Sequence, residues 1–433
     1  MLTKWWCVIM SDKLNQEAWE ILFKRHKIFE EIEKNGVFYI SAKQIKKERE
    51  PRLMAKFDHT INLPKIFADN GLSILPITRG DYAIAHFDAY HSFEPLTSEI
   101  QQVTIPPYIQ SINSSNIQSE AIALNCAVST GIIADFTGDI DIVPTVSGRM
   151  GSGDFDFNIR DTLTDKQLNI DVSNSQIEID AAYEGVNYLS LLEAKRDISD
   201  DFLVRQLYYP YRVWQRRVSK PVKPIFLVYS NGIYHLYEYE FVNPNEYSSL
   251  QLVKQKNYSI EDTEITTEDI INVLKSVKIE NEPQYVPFPQ ADSFERVINL
   301  CELLNGGSGE YDREKITQNY DFDSRQTNYY ISAGRYLGLI EEYKRNQPYR
   351  LTSSGIAILK LNYKQRQLAY CQKILSHKIF NEVTRLYFER GKIPDKPEIM
   401  SMMKSNGLVK TESTCFRRAS TISSWVEWIA GLI

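Results

Sequence analysis

At 433 residues the chain exceeds what one ordinary hydrophobic core supports, so about two to four domains are expected. Apolar content of 43% and charged content of 24% are ordinary globular values and exclude a mainly disordered chain. The net charge of −6 excludes a uniformly basic nucleic-acid coat, but the charge is segregated: from Ile356 to Ile433, thirteen Lys or Arg stand against six Asp or Glu.

The five cysteines are scattered and nowhere in CxxC spacing, which points to a reducing compartment and away from a zinc site. The first apolar run is too short for a signal-peptide core, and no run reaches the roughly 18 apolar residues of a membrane span. A cytoplasmic protein with no membrane partner is the expectation.

Residues 15–34 place Trp19, Leu22, Phe23, Ile28, Phe29 and Ile32 at spacings of three and four, which predicts one amphipathic helix stopped by Asn35-Gly36. A strand over 37–40, a helical start at Ser41 and the turn-rich segments 50–64 and 72–84 follow. They predict a small α/β module over 1–113. Within it Arg52, Lys56, His59, Asn62 and Arg79 are candidate contacts to phosphates or base edges.

A helix is expected over 114–131, with Glu120, Leu124 and Ala127 along one side. Two alternating runs between 139 and 159 flank Ser147-Gly-Arg-Met-Gly-Ser-Gly and predict a hairpin with a glycine-rich tip. No GKS or GKT opens a helix there, so it is not a nucleotide loop. Strands over 177–180 and 188–195 come next. A helix over 200–218 should bury Phe202, Leu203, Leu207, Tyr211 and Trp214 and kink at Pro210. Strands over 224–229 and 234–241, joined by Ser230-Asn-Gly, complete an α/β layer with a mixed sheet over 114–245.

Residues 246–290 read as a connector with one helix over 267–277. From 291 to 360, a helix over 294–304, a short segment at 316–320, a helix over 324–338 and a β-hairpin with its turn at 346–348 have the layout of a winged helix-turn-helix. Ser324, Arg325, Gln326 and Asn328 fall at the start of its third helix, where Arg, Gln and Asn side chains can read base edges. Residues 361–433 repeat the theme with helices over 379–390 and 397–404 and a third starting at 412. This second helix-turn-helix-like domain should carry Thr414, Arg417, Arg418 and Thr421 on its polar side, opposite Phe416, Ile422 and Trp425.

The chemistry concentrates in the middle of the chain. Glu193 and Lys195 sit two apart at the end of Tyr188-Leu-Ser-Leu-Leu, a run apolar enough for a central strand, so both face one side. Asp180 ends the preceding alternating run. Two carboxylates can hold a divalent metal that polarises a phosphodiester and activates water, and the lysine can orient that water or neutralise developing charge. Glu178 shares the face of Asp180 and is the rival first acid; Asp141 is a weaker one.

Asp180 followed by Glu193-Ala-Lys195 resembles the PD-(D/E)xK nuclease motif, and Ile-Glu-Ile-Asp, Glu-Ala-Lys and Arg-Gln-Leu-Tyr-Tyr-Pro-Tyr-Arg around it resemble a group of bacterial type II restriction endonucleases. The resemblance covers roughly residues 114 to 245, and Ile179 stands where the motif's name has proline. It implies an α/β nuclease core with Asp180 and Glu193 as Mg2+ ligands and Lys195 as the water-orienting lysine. Glu120 would be an outer or additional acid and Gln206 a supporting contact. The expected activity is sequence-specific hydrolysis of double-stranded DNA by a homodimer, one active site for each strand.

Overall fold

The computed structural model describes residues 9–95, 97, 99–113, 117–306, 309–319, 324–343, 348–408 and 412–433. The N-terminal unit begins with helices α1 (Ile9–His26) and α2 (Ile28–Asn35). The periodicity predicts a single helix, but Lys27 adopts a left-handed φ of 51° and turns the chain between the two. Trp19, Leu22, Phe23, Ile28 and Ile32 nevertheless share one core with Phe67 and Ile84, because both helices turn their apolar side to the same layer. That layer is an antiparallel sheet of β1 (Val37–Ser41), β2 (Ser73–Pro76) and β3 (Asp81–Ala85), ordered β1-β3-β2. Single-turn helices α3 (Ala42–Ile45), α4 (Pro51–Met54) and α5 (Lys65–Ala68) fill the space between β1 and β2.

The central unit contains β4 (Tyr90–Ser92), β5 (Ile100–Gln102), helices α6 (Glu120–Ser129) and α7 (Ile132–Thr137), and strands β6 (Val143–Gly151), β7 (Asp154–Arg160), β8 (Gln167–Ser173), β9 (Gln176–Glu184), β10 (Leu189–Lys195) and β11 (Asp201–Leu203). Helix α8 (Arg205–Trp214) and strands β12 (Val222–Ser230), β13 (Ile233–Phe241) and β14 (Leu250–Ser259) follow. Seven strands form one mixed sheet ordered β5-β14-β13-β12-β10-β9-β6. The β10–β12 and β14–β5 pairs are parallel and the other neighbours antiparallel. Helices α6 and α7 cover one face, with Leu124, Ala127, Ile133 and Phe136 packed on Leu192, Ala194, Ile225 and Leu227. On the other face, Leu207 and Tyr208 of α8 join Phe226, Val228 and Tyr237. The α/β class with a mixed sheet flanked by helices therefore stands. The Asn231-Gly232 turn has φ of 52° and 81°, as a two-residue turn with both central residues left-handed requires.

Four local expectations are corrected. Helix α6 starts at Glu120, not near 114, because Ser119 caps it by accepting the Ile122 N–H. The runs between 139 and 159 are not a hairpin: β6 pairs with β9, while β7 pairs with β8 in a separate ribbon. The apolar side of that ribbon, Phe155, Phe157, Ile159, Ile170 and Val172, is buried over α8, which rewards the long-range pairing. Residues 201–203 pair with β4 instead of opening α8. Part of the expected connector is β14, held between β13 and β5 in the main sheet.

The C-terminal unit runs through α9 (Thr267–Ser276), α10 (Phe294–Asn305), α11 (Arg313–Asn319), α12 (Ser324–Tyr336), β15 (Ile340–Glu342), β16 (Tyr349–Leu351) and α13 (Ser353–Leu359). It ends with α14 (Tyr363–Leu375), α15 (Lys378–Arg390), α16 (Lys396–Ser405) and α17 (Glu412–Ala430). The two expected helical modules share a single core, in which Leu274, Leu300, Ile331, Ile374, Phe380 and Trp425 meet. Among the described residues no helix is long and apolar enough to cross a membrane.

Candidate active site

Strand β10 is buried along nearly its whole length and lies between β9 and β12, so its polar residues emerge at the strand's C-terminal end, beside α8. The antiparallel ladder of β9 and β10 ends at Ala181↔Leu192, which makes Asp180 and Glu193 the next residues on the two strands. There the strands part. The Asp180 Oδ2 accepts the Ala194 N–H at 2.9 Å, taking over the role of a ladder carbonyl.

Glu193 is only 7% exposed. Its Oε1 accepts from Lys195 Nζ at 2.6 Å and from Gln206 Nε2 at 2.6 Å. Glu120, the first residue of α6, lies close enough for its charge to act on both Glu193 and Lys195. The geometry thus unites Asp180, Glu193, Lys195, Glu120 and Gln206, which come from two strands and two helices.

Burial pushes the Glu193 carboxyl up to about 7, with Asp180 and Glu120 adding in the same direction and Lys195 opposing. Burial alone would lower the pKa of Lys195, but the Glu193 carboxylate and its hydrogen bond outweigh that and raise it, so the ammonium stays charged. Glu120 is raised by burial and by Asp180, against Lys195. A buried carboxyl poised near neutrality beside a locked ammonium is an environment suited to acid-base chemistry or to binding a cation.

Among the described residues no group of three or more His, Cys, Asp or Glu side chains forms a ready-made metal cage. The two-carboxylate pair nevertheless fits Mg2+, which is commonly held by one or two carboxylates and completed by water. Both contacts of Glu193 fall on Oε1, and Asp180 engages through Oδ2. The buried Gln206 Oε1 has no hydrogen-bond partner, an acceptor that a water at this site would satisfy.

The two rival acids have different surroundings. Glu178 is exposed and ion-paired with Arg149 at 3.1 Å, and it lines one cleft with Glu193 and Gln206. Asp141 is exposed, with φ of 51°, at the opposite end of the β9–β10 hairpin. That end is organised by a residue the sequence reading passed over. Asp139, 4% exposed, accepts N–H groups from Ile140, Asn187 and Tyr188 and the Asn187 side chain.

The neighbouring units grip the segment that leaves the end of β10. Asn299 of α10, 2% exposed, donates to the Arg196 carbonyl at 2.8 Å and accepts the Ile198 N–H at 3.0 Å. It thereby holds the loop between Lys195 and the strand leading to Gln206. Arg296 reaches Asp200 at 2.8 Å in that loop. From the N-terminal unit, buried His59 meets the Asp201 carbonyl and carboxylate, and the Phe57 carbonyl accepts from Tyr90 of β4. Nothing in the local pattern around Asn299 or His59 announces these roles, since each partner is more than 100 residues away.

Among the other candidates, Arg52, Lys56 and Arg79 are exposed and Asn62 is half-buried. Lys56 pairs with Asp58 at 3.0 Å and its charge acts on Glu120. On α12, Arg325 and Asn328 are exposed and Gln326 is half-buried, while the Ser324 side chain and the turn at 346–348, save Pro348, lie outside the described residues. On α17, Arg417 is exposed and Thr414 half-buried. Two residues there are corrected. Thr421 is fully buried and donates to Asp292 at 2.6 Å, and Arg418 donates to the Leu408 carbonyl with its guanidinium over Phe288. Both tie α17 to the segments that precede α10 and follow α16, because the helix packs on more than one side; Phe416, expected on the apolar side, is 53% exposed.

Comparison with curated proteins and with solved structures finds no match. Three families described as domains of unknown function match consecutive stretches: DUF6996 at residues 16–84, DUF6997 at 85–259 and DUF7226 at 296–433. The chain is similar to these families along the same three units that the fold displays, and Asp180, Glu193 and Lys195 lie within the DUF6997 stretch.

Proposed function

We propose that the protein is a Mg2+-dependent, sequence-specific endonuclease of double-stranded DNA, of the type II restriction kind, built on a PD-(D/E)xK core and acting as a homodimer. The observation that carries this reading is the meeting of Asp180, Glu193 and Lys195 at the end of a central strand, with Gln206 bonded to Glu193. Asp180 and Glu193 would hold the cation, which when bound polarises the phosphoryl group and eases deprotonation of water. Lys195 orients the attacking water and offsets charge that builds on the phosphoryl oxygens. A water oxygen bonds to phosphorus, the phosphorus bond to the leaving sugar oxygen breaks, and that oxygen takes up a proton. Gln206 and the Asn299-held loop fix where the carboxylates and the ammonium stand.

The order α10, α11, α12, β15–β16 supports a winged helix-turn-helix reading of the C-terminal unit, with Arg325, Gln326 and Asn328 as base-reading candidates. Incubation of linear DNA with the protein and Mg2+ tests the whole proposal. Discrete fragments support it. Retarded but intact DNA would indicate a DNA-binding regulator, and cutting confined to branched or damaged sites a repair nuclease.

Because only the ionised Glu193 is a ligand, cleavage is expected to rise with pH through about 7 and to shift to lower pH as Mg2+ increases. The folded-state pKa lies above the unfolded value, so proton binding at Glu193 favours the native state at low pH. That contribution is lost as pH rises from the ordinary carboxylate range to about 7. A rate profile flat across this range at limiting Mg2+ would contradict the assignment.

Asn299→Ala should reduce turnover by about tenfold or more while leaving DNA affinity unchanged, since it frees the loop that sets Lys195 and Gln206. Single-turnover cleavage compared with binding in the absence of metal separates the two quantities. A parallel loss in both would assign Asn299 a merely structural role.

A further inference from the structure

The glycine-rich segment formed by the end of β6 and the turn into β7 has no part in the chemistry above. Gly148 and Gly153 have φ of 93° and 66°, and the segment turns tightly against Asn174 and Ser175. A Cβ on Gly151 would stand 2.6 Å from Asn174 Oδ1 and 3.8 Å from Arg79 Nη2, so the Asn174 side chain covers this glycine and the Arg79 guanidinium lies beside it. On the far side of the same turn, Arg216, just beyond α8, donates to the Asp154 carbonyl at 3.2 Å. Arg149 occupies β6 itself, directly across from Glu178. Arg79 and Arg216 thus flank the turn, Arg149 precedes it on β6, and all three side chains are exposed.

Their carboxylate neighbours leave them available. The Arg149–Glu178 pair is more than half exposed on both sides, so solvent screens it and a stronger anion displaces it readily. Asp154 takes the Ser173 hydroxyl at 2.7 Å.

We infer that Arg79, Arg149 and Arg216 form a binding site for the phosphodiester backbone of duplex DNA, flanking the cleft that holds Asp180 and Glu193. Glu178 is two residues from Asp180 on β9, roughly 7 Å along the strand, so Arg149 stands one short step from the carboxylates. A DNA strand carries one phosphate for about every 3.4 Å of its axis. With one phosphodiester at Asp180 and Glu193, the next ones along the strand fall beside the guanidinium cluster. Forked guanidinium donors suit phosphate oxygens. This site serves phosphates alone, so it adds affinity without reading bases. The inference rests on the nuclease reading for the identity of its ligand.

The test is the salt dependence of binding to a labelled duplex of about thirty base pairs of arbitrary sequence, measured with metal chelated between about 50 and 200 mM salt. The variants are Arg79→Gln, Arg149→Gln and Arg216→Gln, singly and together, with Lys65→Gln on the N-terminal unit as a control for charge. Each Gln variant is expected to flatten the slope of log affinity against log salt by about 0.9, the triple variant by about 2.7, and Lys65→Gln by nothing. Arg→Lys at the same positions should restore most of the slope, which also guards against a folding defect in the Gln series. Wild-type cleavage is measured alongside. Cleavage by the wild type with an unaltered slope in the triple variant overturns this site and leaves the nuclease reading intact. Binding with the expected loss of slope but no cleavage supports the site and rejects the nuclease. No binding by the wild type overturns both.

Discussion

Lys195→Ala is expected to lower Mg2+-dependent cleavage by at least about a hundredfold, the scale of losing one preorganised charge from a buried reacting centre. The change has two physical parts. The ammonium 2.6 Å from Glu193 disappears from the place where charge develops on the phosphoryl group. In addition, Glu193 keeps only Gln206 as a donor while remaining buried, so its pKa climbs further above 7 and the proton competes with the cation. Higher pH and higher Mg2+ should therefore recover part of the loss from the second cause and none from the first. Lys195→Arg should not rescue, because a planar fork does not place one compact charge on the same spot. Cleavage by the alanine variant within twofold of wild type would remove Lys195 from the site. Stability provides a second readout: removing one partner of a buried pair is costly while the other stays charged, so the variant should lose more melting temperature at pH 8 than at pH 6.

Asp139→Ala is expected to destabilise the protein by about 2–4 kcal/mol, although it lies at the end of the hairpin away from the proposed chemistry. The alanine would leave the N–H groups of Ile140, Asn187 and Tyr188 without their acceptor in a site that is almost closed to water. Gly185 packs so tightly that a Cβ there would come within 2.4 Å of Asp139 Oδ2, so the turn has no room to rearrange around the carboxylate. Because this turn sets the register of β9 against β10, loosening it also loosens the opposition of Asp180 and Glu193.

Burial pushes the Asp139 pKa up, but the donated N–H groups outweigh it and hold the carboxyl below its ordinary value. A depressed folded-state pKa contributes stability above the unfolded pKa, and that contribution is lost as pH falls through the folded value. Denaturant unfolding should accordingly show the wild type and Asp139→Ala converging as pH is lowered below the ordinary aspartate range. Equal sensitivity of both proteins to acid would mean that Asp139 is not the carboxylate responsible.

The legible parts of this protein were those with a local period or a local turn. The alternation that ends in Glu193 and Lys195 is visible because a strand repeats every two residues, and the apolar run before it marks a strand covered on both faces. Asn231-Gly232 announces its hairpin through the left-handed backbone that only a few residue types tolerate. Helix ends were legible where a cap residue was recognised and misplaced where it was not, as at Ser119 and Lys27.

Strand partners were not legible in the same way. The sequence neighbours β6 and β7 look like a hairpin, yet each finds a different partner because the apolar side of the β7–β8 ribbon is needed over α8. Polar residues posed a related difficulty: Thr421 and Arg418 fall on a helix face that looks solvent-facing until other helices close over it. Asn299 and Asp139 carry no local signal, and His59, a candidate DNA contact by its surroundings, is instead buried against Asp201, since such partners are set by how distant segments meet.

By itself, then, the sequence determined an α/β protein with an acid-acid-lysine set on adjacent strand ends, because side-chain alternation is a property of a few consecutive residues. Only the tertiary structure gives Asp180 and Glu178 their different surroundings, by splaying β9 and β10 so that Asp180 takes the Ala194 N–H while the exposed Glu178 pairs with Arg149. It also decided that Lys195 and Gln206 converge on one oxygen of Glu193, since that meeting depends on where α8 crosses the sheet, which no local period encodes.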